Sequence, residues 1–225
     1  MLTKKIWTLR WLGLSGILGA IVLFTGDMLY YFNPNGGLSS ITTMGSGPDW
    51  RLLAGGAASL IAAWLYTMGA GQIYFALKPA GKRISMLAFI SFAAVMIAYG
   101  IAHASFFSIG SGAKNAFLAG VKVELMTKLP SQYFSLLIKI TYLPVVIITV
   151  LFVYSVLFRK TLYPRWIIPF FPVFPYLFEG IVSQHLSGTL QVIIAGGYKN
   201  LIMLLFYLAS TIVLWNGGKN SQKSS

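Results

Sequence analysis

Apolar residues run through this chain in six long stretches, at about residues 7–32, 51–77, 84–109, 133–158, 165–186 and 188–215. Each is near or above the roughly 20 residues that carry an α-helix across a bilayer core. The pattern predicts an all-α, polytopic membrane helical bundle with six transmembrane helices, a single domain over residues 1–216. Residues 217–225 (GGKNSQKSS) form an expected disordered cytoplasmic tail. The first apolar run continues to Phe32 with no A-x-A site behind it, which predicts a retained helix and not a signal peptide.

The connections set the orientation. With the N-terminus inside, Lys4, Lys5, Arg10, Lys78, Lys82, Arg83, Arg159, Lys160, Arg165, Lys219 and Lys223 face the cytoplasm. Arg51, Lys114, Lys122 and Lys128 face outward, and this asymmetry predicts N-in and C-in. Residues 33–50 (NPNGGLSSITTMGSGPDW) have the composition of a flexible outer loop. In 110–132, Phe117, Leu118, Val121, Leu125 and Leu129 recur at helical spacing among lysines, which predicts one short amphipathic helix on the outer surface.

Composition agrees with a chain dissolved in lipid. Charged residues make up 9% and hydrophobic residues 57% of the 225 positions, with mean hydropathy +0.76. A soluble domain carries about 25% charged residues. The net charge of +13 is spread in short patches between apolar runs, as the positive-inside rule produces, so no nucleic-acid partner is expected. Cysteine is absent, which removes disulfides, thiolate metal sites and Cys nucleophiles.

Small residues supply the expected helix contacts. Gly55, Ser59, Ala63, Thr67 and Gly71 form an i, i+4 row, and Gly16, Ala20, Leu23 and Asp27 share one face of the first span. Such faces let helix backbones approach closely in lipid and also offer a route to oligomers. Pro169, Pro172 and Pro175 remove backbone donors from the fifth span and should bend or break it.

The candidate chemistry lies in ionisable groups at bilayer depth. Only four acidic residues occur in the chain, and two of them, Asp27 and Glu179, fall inside apolar spans together with His103. Each such group costs roughly 2.5–3.5 kcal/mol on insertion scales, so it marks a functional site by default. Along ideal helices Asp27 lies about 8 Å below the outer end of its span, His103 and Lys139 about 9 Å, and Glu179 about 10 Å. Four helices therefore bring ionisable groups to one layer in the outer half. Tyr99 and Tyr142 share faces with His103 and Lys139, Tyr176 precedes Glu179 by three residues, and Tyr198 and Asn200 join somewhat deeper. Asp27–Lys139 and Glu179–Lys199 are also conceivable as structural ion pairs. No metal is assigned, because no H-x-x-x-H or H-E-x-x-H spacing occurs, and no cofactor motif is present.

Several short motifs carry a resemblance. They are Gly26–Asp27, KPAGK at Lys78–Lys82, HASFF at His103–Phe107, LYPRW at Leu162–Trp166, and GGYKNL at Gly196–Leu201. In order and spacing they resemble a family of bacterial multi-pass membrane proteins of unknown function, over nearly the whole chain. The resemblance implies a small helical membrane fold in a bacterial cytoplasmic membrane and favours Asp27 and His103 as site positions. It supplies no activity. In size and intramembrane acids the chain is also similar, at the level of fold alone, to integral-membrane terpene cyclases.

Three classes of function fit these residues. The leading one is a polar pocket in the outer-leaflet half that binds, and by acid–base chemistry modifies, a lipid or isoprenoid-like molecule. There Asp27 and Glu179 would be acid and base and His103 a relay. Tyr99, Lys139, Tyr142, Tyr176, Tyr198 and Asn200 would hold the molecule. The second class is a proton-coupled small-molecule transporter or channel, and the third a non-catalytic subunit or sensor of a membrane complex. Whether a reaction is catalysed stays open among them.

Overall fold

The computed structural model describes residues 2–33 and 40–216. Five longer or capping helices open the chain: α1 (Leu2–Tyr31), α2 (Ser40–Ser46), α3 (Asp49–Leu77), α4 (Lys82–Ala119) and α5 (Val123–Phe158). A 3-10 turn at Arg165–Phe170 follows, then α6 (Val173–Tyr176), α7 (Glu179–Gln184), α8 (Gly188–Leu190), a π turn at Gln191–Ala195, and α9 (Tyr198–Leu214). There is no strand among the described residues.

Among the described residues four helices are long and apolar enough to cross a membrane, or five if the pair Gly188–Ala195 and Tyr198–Leu214, bent by 56°, counts as one span. The chain is thus a multi-pass helical membrane protein. In chain order α1 packs on α3, α3 on α4 and α4 on α5, while α9 closes the bundle against α1. Small residues set these approaches: Gly16 and Gly69 meet under the Tyr207 ring, and Gly100 of α4 faces Ser59 and Ala63 of α3. Around them the core is aromatic, with Phe152 stacked on Phe171 at 4.3 Å between ring centres and Phe206 edge-on to both. At the far end from α2, Arg10 donates to the Trp215 carbonyl at 3.0 Å and lies over the Trp215 ring. The first and last helices therefore meet at the same end of the bundle.

Three expectations change. The separate amphipathic helix in 110–132 does not exist: α4 runs on to Ala119 and α5 starts at Val123. Its apolar spacing continues the period of α4, and the reversal falls where Gly120, at φ +65°, can take the left-handed conformation. At 38 residues α4 is about 57 Å long, well beyond a hydrocarbon core of about 30 Å. The outer loop is also less irregular than its composition suggests. Its residues 40–46 form α2, whose Gly45 is pressed against Phe117 and Ala113 of α4. The expected flexibility of 34–39 and disorder of 217–225 lie outside the described residues. Third, 165–186 is not one helix but a chain of short turns, as the missing amides of Pro169, Pro172 and Pro175 require. The Tyr198 hydroxyl donates to the Pro175 carbonyl at 2.9 Å, a second bond on an acceptor that also takes the Phe178 N–H at 3.0 Å, and so ties the broken segment to α9.

Arg51 has a local task beyond orientation. Its Nε donates to the Leu29 carbonyl at 2.7 Å, and Nη2 to those of Met28 and Phe32 at 3.1 and 2.8 Å. These carbonyls lie at the C-terminal end of α1, that of Met28 also accepting the Phe32 N–H at 2.9 Å, and a cation there is favoured by the helix dipole. Arg51→Met should lower stability by about 2–3 kcal/mol, because charged hydrogen bonds at partly buried sites are worth this much. A lowered thermal midpoint in detergent would show it. Arg51→Lys should recover only part of the loss, having a point charge where a fork is used. An unchanged midpoint in Arg51→Met would refute the capping role.

Candidate functional site

An acid in an apolar helix must find partners, and Asp27 finds two. It is 3% exposed, turned inward on the small-residue face of α1. Asn200, at the start of α9, donates Nδ2 to Asp27 Oδ2 at 2.6 Å. His103 of α4 brings Nε2 to 3.4 Å from Oδ1, which accepts no hydrogen bond and is buried. The other imidazole nitrogen is committed: Nδ1 lies 2.8 Å from the Tyr99 carbonyl, an atom that can only accept. Nδ1 therefore carries a proton. If Nε2 were bare and Asp27 ionised, two lone pairs would face each other across the gap. One proton held between Nε2 and Oδ1 removes that conflict.

Beside this buried group lies a cleft of about 420 Å³ between α4, α5, the broken segment and α9. Its floor and walls are apolar, from Phe92, Val95, Met96, Val145, Phe171 and Met203. Its polar part holds Tyr99, Thr141, Tyr142, Tyr176, Glu179 and Lys199. Glu179 and Lys199 stand 3.6 Å apart with side chains 38% and 44% exposed, so solvent or lipid headgroups reach them. Irregular backbone makes this arrangement possible. The break after α6 turns Glu179 to the cleft, and Tyr176 donates its hydroxyl to the Lys199 carbonyl at 3.2 Å. That bond ties the broken segment to α9.

The expected single layer is thus two neighbouring sites. Asp27, His103 and Asn200 come together in the interior, while Glu179, Tyr99, Tyr142 and Tyr176 line the cleft. Asp27 and Glu179 do not face one another as an acid–base pair: each has its own partner. Tyr99 joins the two sites, its carbonyl bound to His103 and its side chain in the cleft. Lys139 belongs to neither site. It is exposed on α5, the Asp27–Lys139 pair does not form, and Lys139 does not line the cleft. Tyr198 is buried and braces Pro175 without lining the cleft. Glu179–Lys199 does form, with more exposure than a structural ion pair in lipid would have.

Sequence reasoning missed a second buried polar group in the other half of the bundle. Gln72 is fully buried, donates to the Leu9 carbonyl at 3.1 Å and accepts from Ser210 at 2.6 Å, and Ser210 pairs with Tyr163. A lone glutamine within an apolar span was the available signal. Every polar atom of that amide is satisfied from α1 or α9, which marks it as a brace. Among the described residues no three His, Asp or Glu side chains converge as metal ligands would.

No curated protein and no solved structure matches the chain. A family model does, over residues 1–216, which includes both sites and every spanning helix. The chain belongs to this family, described as a family of unknown function (DUF6796).

Proposed function

We propose that the protein binds an amphiphilic molecule, a lipid or isoprenoid-like compound, in the cleft between α4, α5 and α9. The observation that carries this reading is the division of one cleft into an apolar body and a polar end holding Glu179 and Lys199. An apolar tail would replace lipid contacts along Phe92, Val95, Met96 and Met203. A headgroup would meet the ion pair and the hydroxyls of Tyr99, Tyr142 and Tyr176. Concave, mainly apolar pockets of roughly 300–1,000 Å³ with a few convergent polar groups are the usual form of small-molecule sites. In an enzymatic version the acid or base in contact with the molecule is Glu179, since Asp27 is occupied by His103 and Asn200.

The cleft is assigned to the outer-leaflet half of a bacterial cytoplasmic membrane, with the chain crossing six times, N-in and C-in. Two features support this reading. The positive-inside asymmetry is one. The other is the contact of Arg10 with Trp215, since ends that meet on one side require an even number of crossings. The prolyl segment 165–186 is then the fifth crossing, its stretches Arg165–Phe170 and Val173–Tyr176 packed on α9.

Purification in mild detergent followed by mass spectrometry of bound small molecules tests the reading. Val145 lines the cleft, whereas its neighbour Val146 points outward and is 59% exposed. Val145→Trp fills the cleft and should reduce a retained amphiphile at least about tenfold, a loss of about 1.4 kcal/mol. Val146→Trp should leave retention unchanged. The same bulk lipids in equal amounts from all three proteins would sink the proposal.

A further inference from the structure

The proton between His103 and Asp27 is not used by simple amphiphile binding, yet the geometry requires one. Both side chains are nearly enclosed, at 12% and 5% accessible, and His103 is the more open of the two. Protons would therefore enter and leave by the imidazole.

The groups facing the pair come from every helix around it. From α1 they are Tyr30 and Tyr31, from α3 Tyr66, from α4 Tyr99 with Tyr142 of α5 beyond it, and from α9 Asn200 and Lys199. Phenols hold their protons in the ordinary pH range, with unperturbed values of about 10. Arg51 is one turn away, but it is bound to the α1 carbonyls. That leaves Lys199, and Glu179 through it, as the charges able to act on the pair. The connection is continuous. Tyr66 neighbours Asp27 electrostatically, then Tyr99, and Tyr176 neighbours both and Glu179. The Tyr66 hydroxyl is buried without a hydrogen-bond partner, a polar group left over in the wall between the two sites.

We propose that Asp27 and His103 form a one-proton binding centre that answers to the charge on Lys199, so that an anionic headgroup held in the cleft is taken up together with a proton. The ammonium of Lys199 repels a second positive charge on the imidazole. An anion on Lys199 cancels that repulsion, and by linkage a proton on the centre strengthens binding of the anion by the same factor. Asn200 is a positioning residue: it holds Asp27 and sits next to Lys199 in α9, so a shift at one site is felt at the other. The second half of the proposal rests on the amphiphile reading of the cleft. The proton centre stands without it.

The chain has only two histidines, His103 and His185, which makes a direct measurement practical. Full-length protein with isotope-labelled histidine is placed in nanodiscs, and the ring nitrogens are followed by NMR against pH. His185→Asn assigns the signals. The expected result is that Nδ1 of His103 stays protonated throughout while one further proton binds between Nε2 and Asp27, read as an Nε2 shift that titrates together with a change in the Asp27 carboxyl infrared bands. Asp27→Asn should move the His103 midpoint to lower pH by at least about tenfold in proton concentration, as expected for loss of an opposite charge at this distance. Lys199→Met should move it to higher pH by about threefold, the smaller effect of a partly exposed charge. Laurate, as an anionic amphiphile probe, should raise the midpoint in wild type and not in Lys199→Met.

A His103 midpoint indifferent to Asp27→Asn, or an Nε2 that titrates in wild type while the carboxyl bands of Asp27 stay unchanged, overturns the centre. The infrared comparison needs no variant, so it decides even if Asp27→Asn fails to fold. Laurate that binds, by direct equilibrium measurement, yet leaves the midpoint in place overturns the coupling. Laurate that does not bind at all counts against the anionic occupant and the cleft reading, while the titration still decides the centre.

Discussion

Gly100→Leu should abolish assembly of the bundle, leaving no monodisperse protein in detergent. A Cβ built on Gly100 would lie 2.4 Å from the Ala63 Cβ and 3.0 Å from the Ser59 carbonyl, both on α3. The carbonyl belongs to backbone and cannot turn aside. Even Gly100→Ala should cost about 1–3 kcal/mol, since overpacked cores respond by shifting backbone. Leucine adds three further carbons in the same direction, and α4 would have to leave α3. Helix association in lipid depends on close packing more than on apolar burial, so there is little to compensate. The effect is also functional, because Gly100 lies one residue after Tyr99 and three before His103 on the same helix. Gly180→Ala, with nothing within 4 Å of the added carbon, should be silent. Size-exclusion profiles and thermal midpoints of the three variants check this. A folded, stable Gly100→Leu protein would mean that α3 and α4 do not approach as described.

How much of this was legible in the sequence varies residue by residue. The burial of Asp27 was legible, because an acid on a small-residue face of an apolar helix has only the bundle interior to turn to. Its partner Asn200 was not, being 173 positions away with nothing in local spacing to pair them. The small-residue row of α3 was plain, but Gly100 across from it was one glycine among 23. Depth along a helix can be counted in residues, whereas direction around it needs the neighbouring helices. Counted depth therefore puts Asp27, His103 and Glu179 in one layer but says nothing of direction: Asp27 turns to His103 and Asn200, and Glu179 to Lys199. Lys139, counted to a similar depth, is exposed on α5 and does not line the cleft. The prolines announced a broken fifth segment, but a break has no period, so the turn of Glu179 toward Lys199 had no sequence signal. In 117–129 the apolar spacing fitted a separate helix and a continued one equally well. The left-handed Gly120 decides between them, and a glycine alone does not announce its φ.

These two sites ask different things of the fold. The cleft tolerates partial exposure and an adjustable ion pair, which suits a molecule that comes and goes. The Asp27 group is enclosed and has every donor aimed at one carboxylate, which suits a proton and nothing larger. A protein needing only stability has no use for such a group, since well-packed apolar residues often do as well as a buried ionic cluster or better by about 1–4 kcal/mol.

That comparison yields the second large effect. Asp27→Leu should destabilise the protein by about 3–5 kcal/mol, because Asn200 Nδ2 and protonated His103 Nε2 are left buried without their acceptor. His103→Leu alone should cost less, since Asp27 can take a proton and remain bonded to Asn200. The triple variant Asp27→Leu, His103→Leu, Asn200→Leu should regain most of the loss seen in Asp27→Leu, the unmet donors being gone. The effects are thus strongly non-additive, as expected for side chains in one network. Thermal midpoints in detergent measure the cycle, and native-gel mobility confirms that the triple variant keeps its fold. If Asp27→Leu is as stable as wild type, the carboxylate does not organise this interior and the geometry derived for its shared proton fails with it. If the triple variant is stable but no longer couples a proton to laurate, the group is kept for chemistry at a cost in stability, and the cleft and the buried centre act as one device.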